Sequence, residues 1–151
     1  MLATEILKED HRQAISLVEQ LEGVRSDEPG NRQTFQELKA SLELHIQEEE
    51  EIYYPALAEH EEFADLMDEN VAEHEMVRAN LAQMSELSPA SDTFQSVLTE
   101  TRVALEAHMK EEEGEIFPRS IALLGEDRIN ELGNRIDQMK GDDMRSRTAG
   151  A

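Results

Sequence analysis

Along most of the chain, apolar side chains return every three or four positions, the spacing of one face of an α-helix. From about 4 to 24 the stripe reads Leu7, His11, Ala14, Val18 and Leu21. A second pattern, about 31 to 54, carries Phe35, Leu38, Leu42, His45, Glu49 and Ile52. A third, about 62 to 87, carries Met67, Val71, His74, Val77, Leu81 and Met84, and a fourth, about 92 to 113, carries Leu98, Thr101, Leu105, His108 and Glu112. The stretches RSDEPGN (25–31) and SPASD (88–92) supply turn chemistry between them. Pro55 is expected to end or kink the second helix. Gly114 and Pro118 stand near the end of the fourth, and Asp92 with Gln95 suggests a capping box at its start. A shorter fifth helix is predicted over 126–140. Residues 1–140 then form one domain, and 141–151 a frayed, flexible tail.

Each of the four long stripes holds a residue that an apolar face should exclude. These residues obey a second, longer period. His74 lies 63 residues after His11, and the same interval separates His108 from His45, Glu112 from Glu49 and Pro118 from Pro55. Asp10 with Glu73, Val18 with Leu81, Leu42 with Leu105 and Tyr54 with Phe117 agree in the same register. The chain is therefore a duplicated pair of helices. Two helical hairpins joined by short loops predict an all-α, up-down-up-down four-helix bundle with a pseudo-twofold axis.

Residues four apart share a helix face, so His45 with Glu49, and His108 with Glu112, each present an imidazole and a carboxylate to the same side. With His11 and His74, four imidazoles and two carboxylates converge inside the predicted bundle. A buried, unpaired carboxylate costs several kcal/mol, and no lysine occupies the two stripes that carry Glu49 and Glu112. A bound metal is the natural compensating charge. Mixed imidazole and carboxylate donors suit iron, manganese or zinc, and two shared carboxylates suit a pair of ions roughly 3.5 to 4 Å apart. One H-x-x-x-E pair is a weak signal; the common register of two copies carries the inference.

Neighbouring residues are ranked lower. Glu48 and Glu111, one position off the stripe, are candidates for terminal ligands, and Glu115 is a weaker one. Glu50, Glu51 and Glu113 read as a solvated face. Tyr53 and Tyr54 read as packing, although either hydroxyl can line the site and Tyr53 lies two turns from His45. Arg78, one turn after His74, is either exposed or paired with an acid near the site. His60, in EHEEF beyond Pro55, reads as a loop residue, and the methionines as core filler.

Composition narrows the partners. With 35 acidic and 14 basic residues in 151, the formal net charge is −21, which repels nucleic acid and anionic membrane surfaces. Cysteine is absent, so disulfides, thiolate metal sites and thiol catalysis are excluded. No basic segment followed by an apolar run opens the chain, and no run approaches a membrane span; a cytoplasmic location is expected.

The pattern His11, His45-x-x-x-Glu49, His74, His108-x-x-x-Glu112, with EEIYYP and GEIFP closing the second and fourth helices, resembles the hemerythrin-like (HHE cation-binding) family over about residues 4–124. The resemblance implies two iron ions in a non-haem, oxo-, hydroxo- or water-bridged centre, with zinc or manganese as substitutes. It implies Glu49 and Glu112 as bridging ligands, one iron taking His11 and His45 and the other His74 and His108. Oxygen-carrying hemerythrins have a further histidine where Arg78 stands here. The four-histidine pattern therefore implies two nearly equivalent irons with open positions, suited to reacting with oxygen, peroxide or nitric oxide rather than to reversible carriage.

The leading expectation is a di-iron protein that binds, senses or reduces such a small ligand, with any catalysis residing in the metal centre, since no separate acid-base or nucleophile motif is present. An alternative is an iron- or oxygen-responsive regulatory module read by a protein partner without turnover. A third is a metal-free acidic bundle used for protein interaction. Ferritin-like iron oxidation fits less well, because no histidine here has an acid three positions before it.

Overall fold

The computed structural model describes residues 1–150, and most of them are helical, with short non-helical connections between the helices. Helix α1 spans Ala3–Leu21 and α2 spans Pro29–Glu48. After a π-helical turn, Glu49–Tyr53, the same rod continues as α3, Tyr54–Ala58. The second hairpin repeats this plan: α4 (Glu61–Ser85), α5 (Asp92–Glu111), a π-helical turn Glu112–Ile116 and α6 (Phe117–Leu124). A last helix, α7, runs over Glu126–Gly150. Four long rods and a fifth C-terminal helix make the expected bundle.

The stripes are buried as predicted, with one exchange. On α4, Val71 is exposed and its neighbour Asn70 is fully buried. Pro55 and Pro118 do not end their helices. Each lacks the N–H that would bond back four residues, and its ring crowds that carbonyl. The turn widens instead: the Tyr54 N–H bonds the Glu49 carbonyl and the Phe117 N–H bonds that of Glu112, five residues back in both cases. The start of α5 also differs from expectation. Ser91, not Asp92, is the cap, its hydroxyl accepting from the Phe94 N–H. Gln95 instead donates to the carbonyls of Leu21 and Pro89 and accepts from the Gly23 N–H, tying α5 to the end of α1.

Helix α7 extends well past the predicted 126–140, so the segment expected to be a frayed tail is helical through Gly150; Ala151 lies outside the described residues. Ile129, Leu132 and Ile136 pack fully buried beneath the bundle. Gly133 sits so close to the Met1 carbonyl and the Ala3 nitrogen that a Cβ would collide with backbone. This close approach docks α7 across the start of α1.

The apolar interior falls into two clusters. One contains Leu17, Leu38, Leu42, Leu81, Phe94 and Leu98, and the other Leu7, Tyr53, Leu57, Phe63, Phe117 and Leu132. The layer of histidines and glutamates lies between them.

Candidate metal centre

One histidine comes from each of α1, α2, α4 and α5, and all four point Nε2 toward the same two carboxylates. His45 and His74 place Nε2 3.1 Å from Oε1 of Glu49. His11 and His108 place theirs 3.0 and 3.3 Å from Oε1 of Glu112. Both glutamates are 0% exposed and the four imidazoles are buried. Two sets of three donors, His11 with His45 and Glu112, and His74 with His108 and Glu49, each lie close enough together to hold one ion. The structure thus brings together all six residues that the sequence singled out.

A second layer of carboxylates lies behind the imidazoles, and sequence reasoning missed it. The Nδ1 atom of each histidine meets one acid: His11 with Glu113 (2.7 Å), His45 with Asp10 (2.9 Å), His74 with Glu50 (2.7 Å) and His108 with Glu73 (2.5 Å). An acid on Nδ1 draws the ring proton there and leaves the Nε2 lone pair free for a metal. The geometry follows from the helix. A residue adjacent to a ligand is rotated about 100° around the axis, so it faces the neighbouring helix and orients that helix's histidine instead of its own. The signal was present: Asp10 and Glu73, and Glu50 and Glu113, share the 63-residue register. Glu50 and Glu113 are therefore not simply solvated.

Glu48 and Glu111 do not join the donors. Glu48 is fully buried, 2.8 Å from the Lys140 ammonium, which also holds Asp10 at 2.8 Å. Burial and the adjacent Asp10 carboxylate push the Glu48 carboxyl up to about 8, with Lys140 opposing only in part. Burial also acts to raise Asp10, but hydrogen bonds with His45 and Glu48 and the positive charges nearby outweigh it and hold the group down to about 2. Asp10, His45 and Glu48 could also reach a common ion, yet Lys140 already supplies a positive charge there. Glu111 is half-buried, and burial raises its carboxyl with the like charges of Glu73, Glu115 and Glu69. Glu115 is exposed and bonds Arg119. His60 caps α4 outside the site.

Of the two tyrosines, Tyr54 faces the donors. Its hydroxyl donates to Oε2 of Glu112 at 2.8 Å and lies 3.4 and 3.3 Å from Nε2 of His74 and His108. Tyr53 bonds the Ser120 hydroxyl at 2.6 Å, away from the site. The π turn explains the choice. In an α-helix residue 53 would stand above Glu49; with five-residue bonding residue 54 does. Arg78 lies near the site rather than free: its guanidinium bonds both oxygens of Glu50, the acid behind His74, and also Glu75.

The residues fit a metal. The buried Nε2 of His45, near Oε1 of Glu49 but not aligned to hydrogen-bond it, and Oε2 of Glu49 have no hydrogen-bond partner. Six carboxylates (Glu49, Glu112, Asp10, Glu50, Glu73 and Glu113) surround the layer, with Lys140 and Arg78 as the nearby side-chain cations. Those two cations are shared with further acids, Lys140 with buried Glu48 and Arg78 with Glu75, so the layer keeps an excess of negative charge that bound metal ions would offset. The carboxylates also drive two of the imidazoles, His45 and His108, toward taking protons. Burial works against this, but the charge of Glu112 and its hydrogen bond raise His108 to about 12, and Glu49 raises His45 in the same way.

A four-helix bundle that buries two twofold-related sets of imidazole and carboxylate donors defines a helical metal-binding domain. The family model described as hemerythrin HHE cation binding domain matches residues 2–120, and the chain belongs to that family. Its structure is similar to the crystal structure of a hemerythrin HHE cation binding domain-containing protein from Mycobacterium kansasii, at 26% identity and a TM-score of 0.75, covering 94% of this chain and 89% of that one. No curated protein matches this chain. Among the described residues no helix is long and apolar enough to cross a membrane.

Proposed function

We propose that the chain holds two iron ions between His11, His45, His74, His108, Glu49 and Glu112, and that the centre binds, senses or reduces oxygen, peroxide or nitric oxide. The observation that carries this reading is the double layer of donors, four Nε2 atoms converging on two buried carboxylates with an acid on every Nδ1. When bound, iron supplies Lewis acidity and exchangeable electrons.

The chain's own residues do the rest. Asp10, Glu50, Glu73 and Glu113 keep each imidazole in one tautomer and orientation. Oε1 of Glu49 lies between His45 and His74, and Oε1 of Glu112 between His11 and His108, so each carboxylate faces both donor sets. The two apolar clusters bracket the layer and limit water around it. Tyr54 is placed to donate a hydrogen bond at the centre, because burial and the charges of Glu49 and Glu112 raise its phenol well above the ordinary value and keep it protonated.

The regulatory alternative draws on one observation, the full burial of both glutamates, which ties the stability of this layer to metal charge. Metal content per chain and the visible spectrum, before and after azide and peroxide, test the main reading. Two irons per chain with bands that shift on either addition are expected. Glu49→Gln with Glu112→Gln is expected to abolish paired binding; two irons retained in that variant would sink the assignment. Peroxide decay then separates turnover from sensing, and a large loss of thermal stability on chelation without turnover would favour the regulatory module.

A further inference from the structure

We propose that the gap between α4 and α5 is the route by which metal ions and small ligands reach the centre, and that α7 seals the twofold-related gap between α1 and α2. The inference rests on the metal-centre reading above and adds the path to it. A cavity of about 230 Å³ touches all four ligand histidines. Its deep wall includes His45, whose Nε2 has no hydrogen-bond partner. Every lining residue that is exposed or half-buried, namely Glu73, Met76, Ala104, Ala107 and Glu111, belongs to α4 or α5. The cavity therefore opens between those two helices.

The 63-residue register shows what became of the equivalent gap. Glu73 and Glu111 correspond to Asp10 and Glu48, and Ala107 corresponds to Leu44. Helix α7 packs on both α1 and α2, and Lys140 binds Asp10 and Glu48 together. On the α4–α5 side there is an alanine where the other side has a leucine, and among the described residues no lysine or arginine pairs with either acid. Glu69 and Glu115 lie close enough to act on Glu111 as further like charges. An acidic mouth above a cavity lined with imidazoles concentrates divalent cations, while the apolar walls of Val77, Leu105 and Met109 pass neutral molecules. A shallower groove between α1 and α5 meets the site only at His11 and Glu113, which bond one another.

Uptake of Co²⁺ by the metal-free protein, followed by its visible absorption in stopped flow, tests the route. Ala104→Phe, which fills the throat, is expected to slow loading by roughly tenfold or more while the final cobalt content stays that of the parent. Glu69→Gln with Glu115→Gln, which touch no ligand, are expected to slow loading about threefold at low salt and to flatten its salt dependence. Parental loading rates in Ala104→Phe overturn the proposal. Should that variant fold poorly, unchanged rate and salt dependence in the charge variant overturn it instead. The end point keeps the two readings apart: a parent that takes up no cobalt removes the metal centre and its route together, whereas full content at unaltered rates removes the route alone.

Discussion

The two halves of this bundle carry the same ligands in the same register, yet their surroundings differ at four places. Tyr54 stacks on His74 with ring centroids 5.5 Å apart, and its counterpart Phe117 stacks on His11 at 5.9 Å without a hydroxyl. Arg78 clamps Glu50, but the position equivalent to Arg78 is Ile15, so the matching acid Glu113 has no such clamp. Lys140 neutralises the Asp10 and Glu48 side, and α7 covers it. Leu7 packs in the core where Asn70 is buried without a hydrogen-bond partner. The duplication preserves the donor set, because any change there leaves a buried charge uncompensated. The residues packed around the donors differ between the halves, in the core as well as at the surface, and they set one end of the site apart from the other.

Four substitutions probe these differences. The largest effect is expected from Lys140→Met, which leaves half-buried Asp10 and buried Glu48 without their cation. Breaking such a pair costs about 3 kcal/mol, which thermal denaturation of the metal-free protein would register as a clear drop in Tm. An unchanged Tm would mean that α7 is held by its apolar contacts alone. Next comes Tyr54→Phe, which makes the two halves alike by leaving Oε2 of Glu112 without its donor. A loss of about 2 kcal/mol in urea denaturation is expected, since the hydrogen bond goes to a buried charge. Phe117→Tyr, the reverse change, should not restore it, because the new hydroxyl stands beside His11 and not beside Tyr54's partners. The smallest effect is a gain. Asn70→Leu copies the other half, removes an unpartnered buried amide and is expected to add about 1 kcal/mol to the metal-free protein. A loss of stability would show that Asn70 has a polar partner after all.

Much of the fold and most of the site were legible in the sequence, for local reasons. Periodicity placed four helices within a few residues of their observed bounds, since one buried face per helix dictates where apolar residues recur. The duplication exposed six candidate ligands because chance does not repeat His-x-x-x-Glu at one interval. What failed had a physical cause in each case. The choice between Tyr53 and Tyr54 stayed open because α-helical spacing points to Tyr53, two turns from His45, whereas the proline-induced π turn over Glu49–Tyr53 adds a residue. Glu50 and Glu113 read as surface charges because a carboxylate one step from a ligand serves the neighbouring helix, and periodicity along one helix does not reveal that neighbour. The C-terminal helix was ended early because its last turns are polar on most faces, and no stripe marked their continuation.

The sequence by itself determined the helices, their pairing into two copies and the residues that face inward, all of which follow from spacing along a single chain segment. Only the tertiary structure decided which acid meets which imidazole, which tyrosine faces the centre and which of two equivalent gaps α7 covers. Those choices depend on the approach of side chains from helices far apart in the chain, as with Lys140 on Asp10. Such distances are set when the whole bundle packs.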